Sequence, residues 1–97
     1  MKTTAPTPTF TPEELREVRS AALRLWNEIA YDAFEAGGRR RKSLKRAEVV
    51  ELVCDAGRLE DQLRRMNRKE LAEKIAHPDV DLEGIVSEAF PYASYCQ

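Results

Sequence analysis

Two stretches of this chain repeat an apolar residue at alternating steps of three and four. The first ladder is Leu15, Val18, Ala22, Leu25 and Ile29, and the second is Val49, Leu52, Ala56, Leu59, Leu63 and Met66. This spacing places each set on one face of an α-helix. Two amphipathic helices joined by a short connection predict an antiparallel helical hairpin.

The first helix of the hairpin is predicted at about 12–36. Thr11 and Glu14 have the spacing of a capping box, in which each side chain accepts a hydrogen bond from the other residue's backbone N–H. Pro12 suits the first helical position, and Gly37 can end the helix in the left-handed conformation. Both ends of this helix are therefore marked by local signals.

The second helix is predicted at about 44–66, with Ser43 as its N-cap. Gly57 lies within it, and a glycine inside a helix costs about 1 kcal/mol relative to alanine. The apolar ladder nevertheless passes through Gly57 in phase. We therefore expect one uninterrupted helix, with a break at Gly57 as the main alternative.

Two short helices are predicted to follow. Asn67 can cap a helix at about 68–76, which His77 and Pro78 end, and Asp81 can cap a helix at about 82–90. The sequence shows no strand alternation and no hairpin turn. The predicted fold is all-α, a small helical bundle in which two short helices close a long hairpin.

Hydrophobic staples are expected at three of these helix starts. Phe10 can pack on Leu15 across the first cap, Met66 can pack on Leu71 across the cap at Asn67, and Val80 can pack on Ile85 across the last one. Each pair joins the residue before the cap to the fourth helical residue.

The length of 97 residues allows one domain, which we assign to residues 11–97. Residues 1–10 are rich in Thr and Pro and are expected to form a flexible tail. The net charge of −1 is unevenly distributed. Residues 1–38 carry four basic and six acidic groups, residues 39–76 carry twelve and seven, and residues 77–97 carry four acidic groups alone. The basic middle and the acidic end could pair within one molecule or between copies.

A cytoplasmic location is the expectation, and no membrane association is predicted. No apolar run approaches the roughly 20 residues of a membrane span, and no leader pattern stands at the N-terminus. Cys54 falls within a predicted helix. We therefore expect no structural disulfide between Cys54 and Cys96, and we expect Cys54 to be a small core residue.

An enzyme is not expected, because the sequence offers no catalytic residue set. His77 stands next to Pro78 at a helix end, where a capping role is more common than general-base chemistry. Cys54, His77 and Cys96 lack metal-ligand spacing, and the four glycines form no phosphate loop. Neither a metal site nor a cofactor is predicted.

A basic cluster at the hairpin tip is the most specific functional signal. It comprises Arg39, Arg40, Arg41, Lys42, Lys45 and Arg46. Cations in the first turn oppose the positive end of the helix dipole, so an anionic partner surface would stabilise them. The alternative is an ordinary solvated turn. A possible second basic patch comprises Arg64, Arg65, Arg68 and Lys69.

A helix-turn-helix is a weaker interpretation of residues 68–90. Its second helix would bring Asp79, Asp81, Glu83 and Glu88 to the DNA phosphates without a single cation.

The C-terminal segment 89–97 carries aromatic residues and no charge, so it must cover apolar surface. It can pack within the same molecule or act as an interface anchor, for which Trp26, Tyr92 and Tyr95 are the candidates. Leu23 and Ala30 flank Trp26 and give the first helix a second apolar side. These features favour a weak homodimer.

The sequence thus favours a non-enzymatic binding protein that associates with a protein partner, as accessory or inhibitory proteins do. The alternative is a nucleic-acid-binding or regulatory protein that uses the basic tip and the 64–69 region.

Overall fold

The computed structural model describes residues 8–37, 43–92 and 94–96. They form, in chain order, α1 (Pro12–Gly37), β1 (Ser43–Lys45), α2 (Arg46–Cys54), a 3-10 turn (Asp55–Gly57), α3 (Arg58–Arg65), α4 (Lys69–Ile75), α5 (Leu82–Ser87) and β2 (Ser94–Cys96). The all-α class and the small helical bundle are confirmed.

The start of α1 has the predicted capping box. The Thr11 N–H donates to Glu14 Oε1 at 2.9 Å, and the Glu14 N–H donates to Thr11 Oγ1 at 3.1 Å. The helix begins at Pro12 as expected and extends to Gly37, one residue beyond the predicted end. These local signals therefore located α1 correctly.

The uninterrupted helix predicted over 44–66 is wrong. Ala56 and Gly57 have φ values of +53° and +68°, so two consecutive left-handed residues end α2 and allow α3 to start in a new direction. Across this break α2 packs against α5, while α3 packs along α1. Ala56 is exposed although the ladder places it in the core, and Val50 and Val53 of α2 are buried instead.

The predicted cap at Ser43 is also wrong, because Ser43 belongs to a strand. β1 pairs with β2 in an antiparallel two-stranded ribbon, in which Leu44 lies opposite Tyr95. Residues 43–45 are therefore extended, and Lys45 occupies the N-cap position of α2. The sequence analysis missed both strands, since three-residue strands are too short to show alternation.

Asn67 ends a helix rather than starting one. Its φ is +65°, its N–H donates to the Arg64 carbonyl at 3.0 Å, and the Arg68 N–H donates to the Leu63 carbonyl at 2.8 Å. This pair of bonds is the Schellman motif, which satisfies the last carbonyls of α3. Arg68 then occupies the N-cap position of α4.

Asp81 caps α5 as predicted, since its carboxylate accepts from the Gly84 N–H at 3.1 Å. The helix ends at Ser87, and residues 88–90 continue as hydrogen-bonded turns.

The core lies where the five α-helices meet, and α4 contributes Leu71, Ala72 and Ile75 to it. Phe90 is fully buried and packs edge-on against Trp26, with ring centroids 6.4 Å apart. Both ladders contribute to the core through Val18, Ala22, Leu25, Val49, Leu59 and Leu63. The predicted hairpin faces are therefore buried together, except around the break.

Candidate functional site

A groove of about 430 Å³ runs between the start of α1 and the start of α5. Two of the three expected hydrophobic staples contribute to it: Phe10 and Leu15 line one side, and Val80 and Ile85 line the other. All four side chains are half-buried, so their apolar surface is only partly covered by this chain. We call this feature the staple groove.

The rim of the staple groove is acidic. Asp79, Asp81 and Glu88 line it and are exposed. Arg19 also lines it, but its guanidinium is engaged, since Nε donates to the Ile85 carbonyl at 3.3 Å and Nη2 contacts Glu88 at 2.8 Å. The Arg19 charge is thereby partly compensated by Glu88, while Asp79 and Asp81 give the rim a net negative charge.

Lys74 on α4 fixes the side of the groove that contains Phe10. Its Nζ donates to the Thr9 carbonyl at 2.9 Å and to both carboxylate oxygens of Glu14, at 3.0 and 2.8 Å. The same ammonium lies 5.3 Å from the centroid of the Phe10 ring. The ammonium and the Thr11 N–H together lower the pKa of Glu14 below its ordinary value of 4.5.

Acidic neighbours neutralise most of the predicted second basic patch. Arg64 pairs with Glu60 and Asp61 at 3.9 and 3.4 Å, Arg65 with Glu28 at 3.5 Å, and Arg68 with Glu17 at 2.6 Å. Lys69 is exposed, and no carboxylate among the described residues pairs with it. Arg64 thus pairs within α3, whereas Arg65 and Arg68 pair with α1, so three of the four patch residues form mixed-charge contacts.

Four residues of the basic tip, Arg39 to Lys42, lie outside the described residues. Of the remaining two, Lys45 is exposed and its backbone N–H donates to Glu48 Oε1 at 3.0 Å. Arg46 is half-buried, and its guanidinium donates to the carbonyls of Ser87 and Phe90. Arg46 therefore stabilises the end of α5, and Glu48 already supplies a carboxylate at the start of α2.

The three candidate interface aromatics have different surroundings. Trp26 is only 6% exposed and belongs to the core, so it forms no surface of this chain. Tyr92 is 69% exposed. Tyr95 lies in β2, opposite Leu44, which makes the backbone of the C-terminal segment part of the fold.

Two reactive side chains among the described residues, Cys54 and His77, have distinct surroundings. Burial raises the pKa of the Cys54 thiol to about 11, and the carboxylates of Glu83 and Asp81 add to the shift, so the thiol stays protonated at neutral pH. His77 Nδ1 accepts from the Asp79 N–H at 3.1 Å and stabilises the turn before α5. Among residues 8–37, 43–92 and 94–96, no three His, Cys, Asp or Glu residues are grouped to hold a metal ion.

Comparison with known proteins gave no match: no protein-family model, curated protein or solved structure resembles this chain significantly. Within the part of the chain that the structure describes, no helix has the length and apolar character needed to cross a bilayer.

Sequence analysis identified the four staple residues of the groove but not the groove itself. Each staple is a local signal, and nothing local shows that α1 and α5 begin side by side. The acidic 77–97 segment was visible in the charge count, and it supplies the rim residues Asp79, Asp81 and Glu88.

Proposed function

We propose that this protein is a non-enzymatic binding protein whose partner is another protein, and that the staple groove receives a short segment of that partner. The observation that carries this proposal is the combination of a half-buried apolar floor with an acidic rim in one groove of about 430 Å³. Such grooves suit an apolar side chain flanked by lysine or arginine, because the floor buries the apolar group while the rim attracts the cations.

Contacts on both sides of the groove support a preformed site. Lys74 holds Thr9 and Glu14, and Arg19 ties α1 to the Ile85 carbonyl. Asp81 is held by its hydrogen bond to the Gly84 N–H. A groove with fixed walls loses little conformational entropy when it binds a ligand, which favours affinity.

The nucleic-acid alternative has less support. Arg64, Arg65 and Arg68 are paired with carboxylates, and Arg46 is occupied by carbonyls of the chain itself. Binding to phosphates would have to displace these contacts, and the acidic rim of the staple groove would repel a polyanion.

The test begins with selection from a random peptide display library by the full-length chain. The expected sequences carry one large apolar residue next to Lys or Arg. A selected peptide is then synthesised with a fluorescent label and titrated by anisotropy against wild type, Asp79→Lys and Glu73→Lys. Asp79 lies on the rim, whereas Glu73 is an exposed acid on α4 outside the groove, so the two variants change the net charge equally.

We expect Asp79→Lys to weaken peptide binding at least about tenfold, because it reverses one rim charge, and Glu73→Lys to leave it nearly unchanged. Equal affinities of wild type and Asp79→Lys would exclude the staple groove as the site. Salt-sensitive retention of wild type on DNA, with no peptide selected, would favour the nucleic-acid alternative.

A further inference from the structure

One side of α1 carries apolar residues that this chain leaves exposed. Leu23 and Tyr31 are 43% and 63% exposed, and Asn27 is exposed between them. Residues four apart lie on the same side of a helix, so these three form a strip. The buried residues of α1, such as Val18 and Leu25, lie on the opposite side. We call this strip the outer strip of α1.

Charges beside the outer strip determine how a second α1 could pack on it. Arg24 and Glu28 are exposed and lie one turn apart along the same edge of the strip. Glu28 also contacts Arg65 of the same chain at 3.5 Å, but its side chain remains half-exposed. In a parallel pair of α1 helices about a two-fold axis, this edge of one copy and the same edge of the other lie on opposite sides of the interface, so Arg24 and Glu28 of the two copies do not meet. An antiparallel pair would place each Arg24 near the partner's Glu28, so only this orientation is electrostatically complementary.

We propose that the outer strip binds the outer strip of a second copy, with the two α1 helices antiparallel about a two-fold axis near Asn27. The sequence positions fit this symmetry, because Leu23 and Tyr31 are equidistant from Asn27. Each Leu23 then packs against the partner's Tyr31. The two Asn27 amides meet at the axis, where each can donate and accept one hydrogen bond.

The interface proposed for the homodimer therefore differs from the C-terminal interface that the sequence suggested. The C-terminal segment was the expected anchor, but its residues 94–96 pair with β1 of the same chain. None of the outer-strip residues lines the staple groove, so dimerisation leaves that groove open. The inference therefore stands independently of the proposed function.

Sedimentation equilibrium of the full-length chain tests the dimer. We expect a concentration-dependent dimer at high micromolar concentration. Tyr31→Glu should raise its dissociation constant at least about tenfold, since it places a charge against the partner's Leu23. Tyr92→Glu is the matched control, because Tyr92 is equally exposed but lies outside α1. Circular dichroism of each variant verifies that the helices remain.

A charge-exchange series tests the orientation. Arg24→Glu and Glu28→Arg should each weaken the dimer, because each places like charges together across the axis. The double variant Arg24→Glu/Glu28→Arg should restore part of the affinity. Three results would overturn the proposal: a monomer at high micromolar concentration, a dimer lost in Tyr92→Glu but kept in Tyr31→Glu, or no restoration in the double variant.

Discussion

At the scale of single residues, Lys74 joins three parts of the molecule. From α4 it reaches Glu14 in the first turn of α1, the Thr9 carbonyl before that helix, and the face of the Phe10 ring. The ammonium is thus surrounded by a carboxylate, a carbonyl and an aromatic face, each of which attracts its positive charge. Lys74 and Glu14 together attach the N-terminal end of α1 to α4.

The Lys74–Glu14 ion pair makes the stability of the fold depend on pH in the acidic range. The pKa of Glu14 lies below 4.5, so its contribution to stability is complete above that pH and is lost as the pH falls through the lowered value. In Lys74→Met we expect the Glu14 pKa to return toward 4.5 and the loss of stability in acid to become shallower. NMR titration of the Glu14 side chain, with thermal melts across the same pH range, measures both effects. Lys69→Met is the control, and an unchanged Glu14 pKa in Lys74→Met would contradict the assignment.

Sequence analysis predicted the hydrogen bonds between Thr11 and Glu14 but not the ion pair between Glu14 and Lys74. The Thr11–Glu14 capping box is local, since its partners are three residues apart, and the structure confirms it. The Lys74–Glu14 pair joins residues sixty positions apart. Only the tertiary fold brings them together, so no spacing rule could have indicated it.

At the scale of helices and strands, the break at Ala56 and Gly57 shapes the molecule. Periodicity predicted a continuous helix because the apolar ladder keeps its phase across the break. A single straight helix would bury Ala56, whereas the broken one buries Val50 and Val53 against neighbouring helices. The free energy gained by burying these larger side chains offsets the free-energy cost of the left-handed backbone at Ala56. Helix propensity could not reveal this, because the gain depends on elements that lie elsewhere in the chain.

The break at Ala56 and Gly57 predicts whether a substitution at Gly57 stabilises or destabilises the fold. Gly57→Ala should destabilise the fold by about 1–2 kcal/mol, because an alanine at φ +68° is strained. Apart from the adjoining residues of the chain, no atom lies within 4 Å of the added Cβ, so the loss of stability would come from backbone strain and not from steric crowding. A continuous helix would give the opposite sign, a stabilisation of about 1 kcal/mol. Urea denaturation of Gly57→Ala, with Ala56→Gly as the reciprocal variant, distinguishes the two structures.

At the scale of the whole molecule, one core unites the two halves of the predicted hairpin. Leu25 on α1 and Leu63 on α3 are both buried, as the ladders indicated. The position of the core was therefore predictable, while the direction of α2 and the two-stranded ribbon were not. The basic tip and the cytoplasmic location stay predictions.

Truncating either core leucine should be costly. We expect Leu25→Ala and Leu63→Ala each to lower the free energy of unfolding by about 2–5 kcal/mol, since each leaves a cavity. Leu23→Ala, on the same helix but exposed, should change it much less when measured at low protein concentration. Denaturant midpoints close to wild type for both core variants would show that the ladders do not share a core.

The two-stranded ribbon also affects the order of folding. Leu44 and Tyr95 lie opposite each other, about fifty residues apart in the sequence, so their pairing closes a loop that contains α2 to α5. The entropy lost on closing such a loop must be offset by only a few backbone hydrogen bonds, whereas the helices gain most of their contacts locally. We therefore expect the ribbon to form after the helices have packed and to open before them, which makes its amide protons the first of the hydrogen-bonded set to exchange with solvent.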